Sequence, residues 1–360
     1  MKAAAVYPDK KSLGVVADYP EPKIESPTGV KLRVLNVGVC GTDREIASFL
    51  YGTPPEGSEY LVIGHECEAE VVEVGPEVEQ VKVGDLVIPM VRRPCDSKQC
   101  IACRAGRPDF CYTGQYRERG IMKMHGFMTE FVVDDERYMN VVPAAIRDVA
   151  VLVEPLTIAE KALLQVDQIQ MRLPWRHRTA LVLGAGPVGL LGAMTLAVHG
   201  FEVTVYSKDR EPNASADIIK AIGGKYISAL DSTVDQMAAA IGDIDLVYEA
   251  TGSSQLAFDV LPLLGPNGIF VLTGVPGKHG PQPFDKDAVM RNMVLKNQCL
   301  LGTVNAGKDS FQRAVTDLGV FNAHWPNAVR GLITGRFPID DFAQPIQNQK
   351  GIKNIIEIAR

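Results

Sequence analysis

Residues 179–201, TALVLGAGPVGLLGAMTLAVHGF, constrain the fold more than any other stretch of this chain. A β-rich run, ALVL, leads into a turn with glycine at 184, 186 and 189, and an apolar, helix-like stretch follows. The segment is uncharged and long enough to span a bilayer. Its texture changes partway, however, and a Gly-Pro turn divides it, so a buried strand, turn and helix are expected instead. A strand buried on both faces belongs in a parallel sheet covered by helices. The flanking sequence continues the alternation: LTIAEKALLQV and NASADIIKAIG read as helices, and EVTVYS, DIDLVYEATG, GIFVLTGV and QCLLGTV as strands. From about residue 155 the chain therefore predicts an α/β, doubly wound parallel sheet. Before that point it is β-rich, with strand-like runs at 31–39, 68–75, 85–91 and 129–135 separated by Gly, Pro and acidic turns. After about residue 306 a helix-like stretch precedes FPIDDFAQPIQNQKGIKNIIEIAR. A chain of 360 residues exceeds one compact core, and two domains are expected.

A glycine pattern of this kind between a strand and a helix has the context that a dinucleotide site requires. Gly184 makes the tight turn, Gly186 lets the backbone approach a pyrophosphate, and Gly189 allows close helix–strand packing, with Pro187 and Val188 opening the helix. The next strand ends VTVYSKDR. An acidic residue closing that strand would hold the ribose hydroxyls of NAD. Ser207 and Lys208 stand there instead, with Arg210 close by, and these groups suit a 2′-phosphate. Asp209 blurs the pattern. NADP is the expected cofactor, with NAD also usable; the competing reading keeps Lys208 and Arg210 as solvated loop charges.

Four of the seven cysteines fall within CDSKQCIACRAGRPDFC, spaced Cys95-x4-Cys100-x2-Cys103-x7-Cys111. The N-terminus, MKAAAVYPDKKSLG, has no apolar core of signal-peptide length, so a cytoplasmic, reducing setting is expected. Clustered thiols there bind metal more often than they form disulfides. Four thiolates on a short irregular loop suit a closed, tetrahedral, structural zinc, and metal binding would supply the folding energy that so few apolar residues cannot. The net charge of −6, from 37 Lys and Arg against 43 Asp and Glu, offers no basic surplus for nucleic acid or an anionic membrane.

The β-rich first part, the four-cysteine lobe, the GHE segment at 64–66 and the central glycine motif together resemble the zinc-containing medium-chain dehydrogenase/reductase superfamily, over essentially the whole chain. Within it, VRRP (91–94), RPDFC (107–111), RERGI (117–121), HGFMTEF (125–131) and VEPLTIAEKA (153–162) look like the glucose (aldose) 1-dehydrogenase branch. The resemblance implies a GroES-like, β-rich catalytic domain at 1–155 and 306–360, with the structural zinc lobe at 92–115, and a Rossmann domain at 156–305. The superfamily's lobe usually has two residues between its first two cysteines; four stand here, so the loop must bulge. Ala69 replaces the usual glycine three residues after Glu66.

The resemblance also implies a catalytic zinc on Cys40, His65 and Glu154, with Glu66 either a ligand in exchange with water or a residue behind the ligands. Three protein ligands leave a position open, as a catalytic zinc requires. A carboxylate in place of a second thiolate makes the metal harder and more electrophilic. Thr42 matches the hydroxyl that contacts the reacting alcohol and relays its proton; otherwise it is a turn residue bonding its own backbone. Glu118 and Asn305 match sugar-contacting positions, while Val91 stands where some relatives carry asparagine. Further cofactor contacts are expected at Leu272, Thr273, Gly274, Thr303 and Asn305. Arg92 and Arg93 either hold the lobe or line the substrate cleft, and His125 is either a core or a cleft residue.

The implied reaction is oxidation of C1 of a cyclic aldose, D-glucose foremost, to the aldonolactone, with hydride passing to NADP and two zinc ions per chain. The relatives of this branch are dimers or tetramers, so a homo-oligomer is expected. A polyol, secondary-alcohol or threonine dehydrogenase of the same superfamily is the nearest alternative, and a non-catalytic NADPH-binding sensor is a remote one.

Overall fold

The computed structural model describes residues 1–277, 280–281 and 283–359. They form two compact units. The first comprises Met1–Thr157, Asn305–Gly319 and Leu332–Arg360; the second comprises Ile158–Val304 and Val320–Gly331. The sequence placed 306–360 whole with the first part. Residues 320–331 instead group with the second unit, where Ala328 and Val329 are buried and the helix Pro326–Gly331 packs on Ala214–Ala221.

The first unit is built on a seven-stranded sheet. Its central strand, Gly29–Gly38, is paired antiparallel with Glu66–Val74, Phe131–Asp135 and Lys353–Glu357. Val30, Leu32, Val34 and Val37 are buried along this strand, and valines pack stably on a pleated sheet. The register sets Gly38 opposite Glu66 and also opposite Ile355. One strand therefore ends where the other begins, and the residues just beyond them, Cys40 and His65, are brought to the same end of the sheet.

A small three-stranded sheet carries the lobe. Arg92–Arg93 pairs antiparallel with Arg117–Arg119, which pairs parallel with Lys123–Met124. A buried carboxylate clamps it to the main sheet. Asp134 accepts from Arg119 Nε at 3.0 Å and is bridged by Arg93, whose guanidinium lies over the Tyr138 ring at 3.9 Å. Arg93 thus holds the lobe, which resolves one of the alternatives left by the sequence.

The second unit is a six-stranded, all-parallel sheet. Its order runs Lys225–Ser228, Glu202–Ser207, Thr179–Leu183, Ile244–Glu249, Leu264–Leu272 and Cys299–Gly302. This is the Rossmann order, in which the reversal beside the first strand opens a crevice at the carboxyl ends of the strands. The apolar segment at 179–201 divides into the strand Thr179–Leu183 and the helix Pro187–Val198. No helix among the described residues is long and apolar enough to cross a membrane.

Asp134 gives an acid-stability test. Burial pushes its carboxyl up, but Arg119 and Arg93 more than cancel this and hold it down at about 2, against an ordinary 3.8. A carboxyl whose pKa is lower folded than unfolded contributes stability above its unfolded value. That contribution, about 2 kcal/mol, is lost as pH falls from about 4 to 2. Asp134→Asn should lower stability at pH 7 by about 3 kcal/mol, because it strands two buried guanidinium groups, and should flatten the acid limb of the denaturation profile. Urea titrations between pH 7 and pH 3 read both effects.

Candidate functional site

At the shared strand end, Cys40, His65 and Glu66 each place one ligand atom within 4.8 Å of the others. Cys40 caps the helix Gly41–Ala47, and its N–H donates to Asp43 Oδ2 at 2.8 Å. Asp43 is wholly buried. Its other oxygen faces His65 Nδ1 at 3.6 Å, and neither atom has a hydrogen-bond partner among the described residues. This arrangement, a carboxylate behind one ring nitrogen, leaves Nε2 as the donor for a metal and orients the ring. Burial opposes charging of His65, but Asp43 and Cys40 hold its pKa well above the usual histidine value.

Glu154 lies in the first turn of the helix Val153–Gln170 and is buried. Burial first, and the Glu66 charge as well, push its carboxyl up to about 7, while His65 and Lys353 pull the other way. Glu154 thus feels the charges of the cluster while standing outside the compact trio. Thr42 Oγ1 is 3.9 Å from Cys40 Sγ. Glu66 is gripped from behind by Lys353, a fully buried lysine that also donates to the Val39 carbonyl at 3.0 Å. A side chain at Gly38 would collide with the Glu66 carboxylate, so glycine is required there. One soft sulfur, one imidazole and two carboxylates, with buried polar atoms left unpaired, fit a zinc ion with an open position.

The four lobe cysteines also converge, with Cys95 and Cys103 Sγ 3.7 Å apart and Cys100 and Cys111 Sγ 3.9 Å apart. A tetrahedron with Zn–S bonds of about 2.3 Å has sulfur–sulfur edges of about 3.8 Å, so the spacing fits zinc and is far too long for disulfides. Burial pushes the Cys103 thiol up to about 12. Burial pushes the Cys111 thiol up as well, but hydrogen bonds with Thr113, Cys103 and Cys95 together outweigh it and draw it down to about 6.

Beside the lobe, Glu118 is buried and its Oε1 accepts from Arg92 Nε at 2.9 Å and from Asn305 Nδ2 at 3.0 Å. The two expected sugar-contacting residues are therefore partners, although 187 positions separate them. Tyr51, which the sequence reading missed, sits near enough for the Glu118 charge to help raise its pKa, after burial. His125 accepts from the Val62 N–H through Nδ1 and stacks on Tyr60, a packing role.

In the second unit the glycine motif has the geometry its spacing implied. Gly184 has φ +100°, and a Cβ on Gly189 would lie 2.2 Å from the Gly184 carbonyl. Gly186 faces open space and caps the helix Pro187–Val198 with no side-chain bond, leaving its first N–H groups for an anion. Ser207 ends its strand, buried; Lys208 and Arg210 are exposed, with Arg210 Nε on Asp231 at 2.8 Å. Leu272 ends the fifth strand and Thr303 follows the sixth, its hydroxyl accepting from Gln165 Nε2. Glu249, also missed, joins the loop after its own strand to the loop after the fifth strand. Its carboxylate accepts from Thr251 N–H and hydroxyl, Gly252 N–H and Gly274 N–H, and its carbonyl accepts from Thr273.

Comparison with known proteins matches the model described as "Glucose dehydrogenase C-terminus" to residues 147–358, and the "Alcohol dehydrogenase GroES-like domain" model to 26–144. The chain belongs to the glucose dehydrogenase family. It is therefore a zinc-type medium-chain dehydrogenase/reductase, GroES-like and Rossmann in its two parts. It is 38% identical to glucose 1-dehydrogenase of Methanocella arvoryzae, over 99% of each chain, and 38% identical to that of Thermoproteus tenax, again over 99% of each. Among solved structures, Haloferax mediterranei glucose dehydrogenase in complex with NADP, Zn and gluconolactone is similar, with a TM-score of 0.91, 33% identity and full coverage of both chains. Galactitol-1-phosphate dehydrogenase of Escherichia coli, at 20% identity, 99% coverage of this chain, full coverage of its own and a TM-score of 0.82, shares the fold.

The packing at the glycine motif yields a prediction for this family member. Gly189→Ala should force the turn open at a cost of roughly 1–3 kcal/mol. It should raise the NADP KM at least tenfold and the glucose KM little, as initial-rate kinetics would read.

Proposed function

We propose that this protein oxidises the anomeric carbon of an aldose, D-glucose first, to the aldonolactone, using NADP in preference to NAD. The observation that carries the reading is the trio Cys40, His65 and Glu66, with Glu154 beside it, in a chain of the glucose dehydrogenase family. Cys40, His65 and Glu154 would hold the zinc, and Glu66 would be a fourth donor that exchanges with water. When bound, zinc supplies a Lewis acid toward the C1 oxygen and NADP supplies the hydride acceptor.

The chain's own side chains do the rest. Asp43 fixes the His65 ring, and Lys353 balances the charge of Glu66 in a site too buried to tolerate it alone. Thr42 takes the proton of the C1 hydroxyl at Oγ1 and passes it outward, while C1 gives up its hydrogen with both electrons. Glu118 and Asn305 accept and donate to the ring hydroxyls, orienting the sugar for that loss. Cys95, Cys100, Cys103 and Cys111 hold a second, structural zinc. Gly184, Gly186, Pro187, Val188, Gly189, Leu272, Thr273, Gly274 and Thr303 line the dinucleotide, and Ser207, Lys208 and Arg210 receive its 2′-phosphate.

We also infer a homo-oligomer in a reducing cytoplasm. The helix Lys286–Leu295 packs Val289 against the core but has no fully buried residue and leaves Met290, Val294 and Leu295 exposed, and Cys299–Gly302 is the last strand of its sheet. All seven cysteines are free thiols.

An initial-rate panel tests the activity. Glucose, galactose or xylose should be turned over with NADP, and sorbitol and threonine should not; no rate with any aldose overturns the reading. Thr42→Val should lower kcat about 10²-fold, the typical worth of a placed proton-transfer group. Metal analysis should find two zinc per chain, and Cys103→Ser should retain one and unfold at lower temperature.

A further inference from the structure

The four-cysteine lobe is joined to Glu118 by side chains that no structural zinc requires. Arg92 is buried, and its guanidinium makes three contacts. Nε donates to Glu118 Oε1 at 2.9 Å, Nη1 donates to the Asp109 carbonyl at 3.3 Å, and the plane lies 3.7 Å from the centre of the Tyr116 ring. Asp109 belongs to the lobe, two residues before Cys111. A second route leaves the same residue. The Asp109 carboxylate accepts from Arg107 Nε at 3.2 Å and Nη2 at 3.1 Å, and Arg107 Nη1 lies 3.3 Å from Asp309 Oδ2. Asp309 follows the turn that presents Asn305, a non-glycine residue at φ +59°. Asn305 Nδ2 closes the ring on Glu118 Oε1 at 3.0 Å.

Both donors thus hold one oxygen of Glu118, while Oε2 accepts no hydrogen bond from the described residues. The carboxylate is locked on one side and presented on the other. Lysine could supply the charge of Arg92 but neither the fork nor the flat stack.

We propose that Arg92 is a positioning residue through which the loaded four-cysteine lobe sets the Glu118 carboxylate, so that metal in the lobe tightens the sugar site. This rests on the reading of Glu118 as a sugar contact. The lobe loop has little apolar packing of its own, so its metal fixes the Asp109 carbonyl, and that carbonyl fixes one end of the guanidinium. Coupling between two binding events is reciprocal, so sugar must tighten lobe metal by the same factor.

Kinetics and zinc competition test the proposal together. Arg92→Met should raise the glucose KM at least tenfold, with a smaller fall in kcat and an NADP KM within twofold of the parent. In the parent, saturating gluconolactone with NADPH should tighten lobe zinc severalfold against a chromogenic chelator, and Arg92→Met should abolish that effect. Should Arg92→Met fail to fold, Arg92→Lys replaces it, with a three- to tenfold rise in glucose KM expected. A parental glucose KM in the folded variant, or zinc affinity indifferent to gluconolactone in the parent, overturns the proposal. Glu118→Gln separates the two levels. An unchanged glucose KM there removes the sugar reading of Glu118 and the proposal with it. A raised value there beside a parental value in the Arg92 variant removes the proposal alone.

Discussion

The register that sets Gly38 opposite Glu66 is the constraint on which the candidate metal site depends. Two antiparallel strands meet end to start there, so Cys40 and His65 emerge side by side although 24 residues separate them in the chain. A third strand, Lys353–Glu357, pairs with the same end and delivers an ammonium group behind the Glu66 carboxylate. A slip of one residue would turn every side chain of the strand to the opposite face. The buried valines of Gly29–Gly38 fix the register, and the chemistry inherits it.

The charges collected there are tolerated because most face a counterpart. Asp43 faces His65, Lys353 faces Glu66, and Glu154, with no such partner, is pushed up to about 7 by burial. Removing one member of a buried ion pair leaves the other uncompensated, which costs more than the pair contributes. A divalent cation would complete this balance, because three carboxylates, Asp43, Glu66 and Glu154, face one lysine and one histidine.

The Rossmann unit uses backbone where the first unit uses side chains. Its glycines bring the helix Pro187–Val198 against the first strand and leave the helix N-terminus bare. The Glu249 carboxylate ties two loops, after its own strand and after Leu264–Leu272, through four hydrogen bonds.

Local pattern was enough for the alternating strands and helices from residue 155, the glycine turn, and the convergence implied by four cysteines on 17 residues, because periodicity and short spacing act within one element or loop. Resemblance to a family added Cys40, His65, Glu66, Glu154, Glu118 and Asn305, which no local rule connects. The partners of those residues lay beyond either kind of reading. Arg92 was undecided between lobe and cleft, and Lys353, Asp43, Glu249 and Tyr51 carry no motif. The regrouping of residues 320–331 was equally hidden. The sequence by itself determined which elements form and which residue types are available for metal and phosphate. The tertiary structure decided which charges face one another, because strand register and burial join residues hundreds of positions apart, and only burial makes an unpaired charge costly enough to require a partner.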